Sequence, residues 1–247
     1  MKYIIVIIML MTNWLVSINS APYSEKKDSV QIIYTNLNGK GLNLTIDFNK
    51  GKKHNHALIA IWIEDISGHY VQTLYVSKSI AKGSFEHAIK GKGKWLPGEV
   101  RRPAALPYWS FKRGVQEKDG LYIPTPKTAI PDAYTGATPL SNFILRTKTD
   151  LKPPEKFRIL FEINQAFDYN EYWTSTLFPN DNEYHTSAQP SLIYSVEIDS
   201  KFPKEQYFLH LIGHGNYSGK NGNLFTNTST ISSALQIVKN ISVKIVE

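Results

Sequence analysis

Apolar and polar residues alternate with a period of two along much of the chain. Leu42, Leu44, Ile46 and Phe48 are interleaved with Asn43, Thr45 and Asp47. Successive side chains of an extended backbone point to opposite faces, so this segment predicts a strand with one face in a core and one in water. The pattern recurs at 156–164, where Phe157, Ile159, Phe161 and Ile163 alternate with Arg158, Leu160 and Glu162. It closes the chain, where Ile241, Val243 and Ile245 alternate with Ser242 and Lys244. Shorter runs predict strands at 30–35, 192–198 and 206–212.

Segments 57–64 and 69–76 flank Asp65-Ile66-Ser67-Gly68. An aspartate can close such a turn with its own side chain, and glycine supplies the positive φ, so the pair predicts a hairpin. Ile59, Ile61 and Ile63 share one face of the first strand; Leu58, Ala60 and Trp62 share the other. With both faces apolar, this strand is expected near the middle of a sheet that is covered on both sides.

The pattern breaks over 77–155, which holds Pro97, Pro103, Pro107, Pro124, Pro126, Pro131, Pro139, Pro153 and Pro154. Short helical pieces are expected at 79–81 and 103–111, and a further strand at 141–147. A stretch this irregular within a compact domain predicts an insertion lying over one end or one face. Another glycine- and asparagine-rich loop spans 213–223, and 231–238 has room for one or two helical turns. About eight strands without regularly alternating helices predict an all-β fold, an antiparallel β-sandwich with an irregular, helix-bearing insertion.

The first residues carry a different signal. Met1-Lys2 is followed by an apolar run over 3–16, then by the small residues Ser17, Ser20 and Ala21. That order predicts a secretory signal over 1–20, with one domain over 21–247. The run is short for a membrane span of roughly 20 residues, so cleavage after Ser20 is expected over retention as an anchor. No membrane span is expected after cleavage, and the protein is expected to be periplasmic or secreted. The chain has no cysteine, which excludes disulfides, thiolate metal sites and thiol catalysis. Its net charge of +7 suits anionic lipid or anionic polymer; export argues against nucleic acid.

Several segments carry a resemblance. The run Ala60-Ile61-Trp62-Ile63-Glu64-Asp65, continued by Gly68, Tyr70, Val71, Thr73 and Leu74, resembles the immunoglobulin-like hairpin of flagellar hook-capping proteins. The wider pattern resembles a family of predicted periplasmic proteins of unknown function. It comprises that hairpin together with Arg102-Pro103, Ala105-Leu106-Pro107 and Trp109; the run from Phe161 to Gln165 and from Phe167 to Tyr172; Gln189 to Tyr194; and Gly213-His214-Gly215. The resemblance implies an immunoglobulin-like sandwich in the bacterial envelope. It implies no reaction and supplies no catalytic residues. Members of that family are associated with membrane redox proteins and flavin-attaching enzymes.

Three groups of residues could carry chemistry. His54 and His56, two apart in extended chain, and His210 and His214 are candidate metal ligands; a Zn or Cu site would need three or four to converge. His185 stands near Asp181 and Glu183. Trp95, Arg101, Arg102, Tyr108 and Trp109, with Lys112 and Arg113, form a candidate ligand-binding set, since aromatic faces stack on sugars and arginine forks bind carboxylate or phosphate. The competing reading is that the tryptophans plug the sandwich and the arginines pair local acids. Asp168 and Glu171, in the segment from Asn164 to Trp173, could form an acid–base pair or bind calcium, or could belong to a structural turn. No Gly-x-Ser-x-Gly elbow or Gly-Lys-Ser/Thr phosphate loop is present. Asn-x-Ser/Thr sites at Asn43, Asn216, Asn227 and Asn240 would matter only in a eukaryotic secretory route.

These features favour a non-enzymatic exported module that binds or scaffolds an envelope partner. The alternatives are a metal- or redox-linked accessory protein and a glycan-binding protein.

Overall fold

The computed structural model describes residues 29–91 and 93–246. The expected signal and its cleavage point after Ser20 lie outside the described residues. In chain order the elements are β1 (Gln31–Thr35), β2 (Asn43–Lys50), β3 (Leu58–Asp65), β4 (Tyr70–Ser77), α1 (Lys78–Lys82), β5 (Ser84–Lys90), β6 (Trp95–Glu99) and α2 (Pro107–Arg113). They continue as β7 (Thr135–Gly136), β8 (Phe143–Lys148), β9 (Lys156–Asn164), α3 (Asn182–Ser187), β10 (Leu192–Asp199), β11 (Tyr207–Phe208), β12 (His210–His214) and β13 (Val238–Val246). Single 3-10 turns occur at Asp132–Tyr134 and Ala234–Gln236. No helix among the described residues is long and apolar enough to cross a membrane.

Two sheets pack face to face. The five-stranded sheet runs β1-β8-β2-β13-β11 and the six-stranded sheet runs β12-β10-β9-β3-β4-β7. Both are mixed, which corrects the expected purely antiparallel arrangement: β1 pairs with β8, and β4 with β7, in parallel. The cause at β1 is visible in the register. The chain turns at Asn38-Gly39, but β8 returns from the insertion to lie between β1 and β2. The turn docks on the end of β8 instead, through Gly41 N–H to Thr149 O and Lys40 N–H to Asp150 O. The anticipated strand at 141–147 is therefore part of the framework, so the irregular insertion is shorter than 77–155.

The core follows the period-two pattern. Leu44, Ile46 and Phe48 of β2 meet Ile59, Ile61 and Ile63 of β3 and Phe157, Ile159, Phe161 and Ile163 of β9 between the sheets. Phe48 stacks on Phe143 at 4.9 Å and Phe161 at 5.7 Å. The other face of β3 is buried as well. Leu58, Ala60 and Trp62 contact Ile80, Ala81, Leu106, Trp109 and Ile123 from the insertion. The hairpin turn forms as its residues require: Gly68 sits at φ 86, its N–H bonds Asp65 O, and Asp65 Oδ1 accepts from His69 N–H.

The segment anticipated as one strand at 206–212 is two. Residues Tyr207 and Phe208 pair with β13 in one sheet, whereas His210 to His214 pair with β10 in the other. Leu209, buried between them, donates its N–H to Ile241 O. Helix ends obey local chemistry. Pro107 opens α2, Gly83 and Gly114 close α1 and α2 in the left-handed region, and Asp181 Oδ1 caps α3 by accepting from Tyr184 N–H.

The loop after β12 is held against the insertion. Asn216 Oδ1 accepts from the N–H groups of Ser218 and Lys220. Gly219 lies at φ 71, and a Cβ there would collide with the Pro103 carbonyl. Gly219→Ala is expected to cost about 2 kcal/mol or more. Thermal unfolding reads this; an unchanged midpoint would mean that the loop rests less tightly on Pro103.

Candidate functional site

The covered face of the six-stranded sheet accounts for most of the aromatic and basic set. Trp109 is 0% exposed and Tyr108 9%, so both plug the insertion onto the sheet and neither offers a ligand platform. Glu162, on β9, is 0% exposed beneath α2. Its carboxylate accepts from the backbone N–H groups of Tyr108 at 3.2 Å and Trp109 at 2.7 Å, and from Ser191 Oγ at 2.5 Å. Burial pushes Glu162 up to about 7, against the opposing pull of those three donors. The Trp109 indole donates to Thr73 Oγ1 at 3.0 Å. A second buried acid, Glu64, accepts from the Trp62 indole at 2.9 Å and from Lys112 Nζ at 3.4 Å. Burial raises its affinity for a proton too. Two buried carboxylates thus clamp α2 to the sheet. Ser191 and Glu162 are close enough for proton exchange but sealed from substrate.

The remaining members of that set are dispersed. Arg101 pairs with Asp119. Arg102 lies over Phe85 at 4.3 Å and Phe167 at 6.0 Å. Arg113 donates to Tyr122 O and sits over Trp109. Trp95 stands apart, 56% exposed on the β5–β6 ribbon. The five residues expected to share one binding surface therefore do not share one.

The histidines are similarly scattered. His54 lies in the β2–β3 loop against Phe48, at 5.4 Å between ring centroids. Burial, aided by Lys50 and His56, holds it down to about 4. His56 occupies the left-handed region and contacts Asn55 Oδ1. His210 and His214 mark the two ends of β12; His214 stacks on Phe225 and contacts Gly215 O. Among the described residues, no three His, Cys, Asp or Glu side chains gather as metal ligands would, and His54, His56, His210 and His214 are no exception.

The amide-rich segment after β9 is a structural turn. Asn170 Oδ1 accepts from Tyr172 and Trp173 N–H, and its amide donates to Gln189 Oε1, Thr230 O and Ser232 Oγ. Asp168 Oδ1 accepts from Ser233 Oγ at 2.6 Å. Side-chain groups here tie the 164–173 loop to the 230–233 loop.

Among the described residues, no insertion packs on the outer face of the five-stranded sheet. Asp47 and Asn49 of β2 and Asn240 and Ser242 of β13 point away from the core, as the alternation of these strands requires. They line a shallow cavity of about 350 Å³ with Asn142, Ile144, Gln206, Phe208 and Val30. Register places Ile144, Asp47 and Ser242 in one row across three strands, with Phe208 beyond Ser242. Asn49 Nδ2 donates to Asn240 Oδ1, Asn142 Oδ1 accepts from Lys50 N–H, and Gln206 Nε2 donates to Ser242 Oγ. Each amide is half used. Asn49 Oδ1, Asn142 Nδ2, Gln206 Oε1 and Asn240 Nδ2 have no protein partner among the described residues. The alternation in β2 and β13 turns this side outward without revealing a site, because the cavity is assembled from five separate segments of the chain. A second cavity, of about 460 Å³, lies beside α3, where Phe178 stacks on Tyr217 and Lys220 pairs with Asp181. Its aromatic faces are spent on each other. No family model, curated protein or solved structure matches the chain.

Proposed function

We propose that the protein is a non-enzymatic binding module of the bacterial envelope, and that the outer face of its five-stranded sheet receives a glycan. The carrying observation is the mixture of unpaired donors and acceptors around the 350 Å³ cavity, next to the half-exposed Phe208 ring. A polyhydroxylated ligand presents both donors and acceptors, and an aromatic face can stack on a sugar ring. The export reading comes from the order of residues 1–21, and the immunoglobulin-like form of the sandwich from the 60–74 hairpin; both belong to this proposal.

The test is affinity of the full-length protein for isolated cell-wall sacculi and a set of neutral polysaccharides. Asn49→Ala combined with Asn240→Ala, and Phe208→Ala separately, are expected to weaken binding about tenfold or more, as the loss of one or two hydrogen bonds or a stacking partner would. All three sites are at the surface, so folding is preserved. No binding by the folded protein, or equal binding by every variant, would refute the glycan reading.

A further inference from the structure

We propose that the β5–β6 ribbon is a membrane-contact arm, which lays Ile89, Trp95 and Leu96 into the interfacial layer of an anionic bilayer and sets Lys90 and Lys94 against its headgroups. This inference is independent of the glycan reading, which concerns a different face.

The ribbon is a two-stranded sheet joined to neither layer of the sandwich. Its base is fixed. Gly83 O accepts from Val100 N–H, Phe85 packs against the insertion cluster, and Arg102 covers the Phe85 ring. Among the described residues, nothing outside the ribbon covers its distal half. Ile89 is 51% exposed, Trp95 56% and Leu96 38%. Ile89 and Leu96 face each other across the strands, and Lys90 faces Trp95. Ile89 and Leu96 therefore share one face of the ribbon and Lys90 and Trp95 the other, so end-on entry of the tip puts aliphatic side chains on one side and the amphipathic ring with a cation on the other into the same layer.

Charge is graded along the arm. Glu86 and Glu99 lie toward the base, while Lys90 and Lys94 lie at the end, exposed and without an ion pair among the described residues. Leaving three large apolar side chains wet is unfavourable in water alone. Tryptophan prefers the bilayer interface, where its ring is half-buried, and each nearby lysine is attracted to an anionic headgroup layer. A protein partner with an acidic rim would satisfy the lysines, but exposed Ile89, Trp95 and Leu96 at the end of a two-stranded ribbon match a soft interface better than a flat one. The ribbon's backbone edges stay hydrogen-bonded to water, as contact at the headgroup level permits.

The experiment is co-sedimentation of the full-length chain with vesicles of phosphatidylcholine alone and with roughly one third phosphatidylglycerol. Trp95→Ser with Leu96→Ser, and Lys90→Glu with Lys94→Glu, are the two variants. All three proteins keep the same apolar segment at 3–16, so differences among them report the ribbon. Wild type is expected to bind the anionic vesicles, with each variant bound about fivefold less and the lysine variant indifferent to phosphatidylglycerol. Unchanged melting temperatures establish that the variants are folded; a folding defect would move the comparison to Trp95→Phe, whose smaller quenching by vesicles carrying brominated lipid, relative to wild type, gives the same answer. Equal sedimentation by all three overturns the proposal. So does concentration-dependent self-association that the Trp95/Leu96 variant abolishes while vesicles leave it unchanged, which would assign the tip to a second copy of the chain.

Discussion

Trp109→Ala is expected to lower folding stability by about 3–5 kcal/mol, the range for removing a fully buried tryptophan. The indole is wholly enclosed between α2 and the outer face of the six-stranded sheet. Its removal opens a cavity and leaves Thr73 Oγ1 without its 3.0 Å donor. Trp109 sits in the insertion, so the loss also measures how firmly that segment belongs to the fold. Denaturant unfolding followed by circular dichroism provides the number. A shift below about 1 kcal/mol would mean that the insertion is a loosely held cap and that the ring is available for other duties.

The second large effect concerns Glu162. Its carboxyl is moved from 4.5 to about 7, first by burial. A folded-state value above the unfolded one means that the native protein holds the proton more tightly. Stability is therefore full below about pH 4.5 and declines as pH rises toward the folded value, by about 3 kcal/mol in total. Glu162→Gln cannot ionise, so its stability should lack this decline. The gap between wild type and variant is expected to narrow from pH 5 to pH 8 by about that amount, even though the amide meets the donors of Ser191 and Trp109 less well at every pH. Chemical denaturation across this range is the measurement; parallel profiles would show that the carboxyl titrates normally and is reached by water. Other shifted acids, such as Glu64, are present in both proteins and cancel in the difference.

The framework was legible where burial alone sets the pattern. β2, β3 and β9 alternate because each hides every second side chain, and β3 is apolar on both faces because both are covered. The turn at Asp65 to Gly68 is local chemistry, and local chemistry can be read directly. The parallel pairing of β1 was not legible. Nothing in the Asn38-Gly39 turn indicates that a strand from more than a hundred residues later will come between the strands on either side of it. Nor was the break at Leu209, since the run from Tyr207 to Ile212 is apolar enough to read as one continuous strand.

The candidate residues divide along the same physical line. Tyr108 and Trp109 look equally suited to stacking on a ligand and to filling a core, and only the position of α2 decides between them. Glu162 gave no signal in a strand of alternating residues, because a buried carboxylate and a solvated one are the same letter. His54, His56, His210 and His214 have the right chemistry for a metal but lie in a loop and on an edge strand that do not bring three of them together.

Leu209 has a consequence for the chain's tolerance of insertions and deletions. Adjacent stretches of one backbone are stitched into different layers with no slack between them. Removing one residue from 207–214 would turn side chains inside out in one layer and displace the pairing of the next, so both would be mis-threaded by a single lesion. That short crossing is where the two layers keep time with each other.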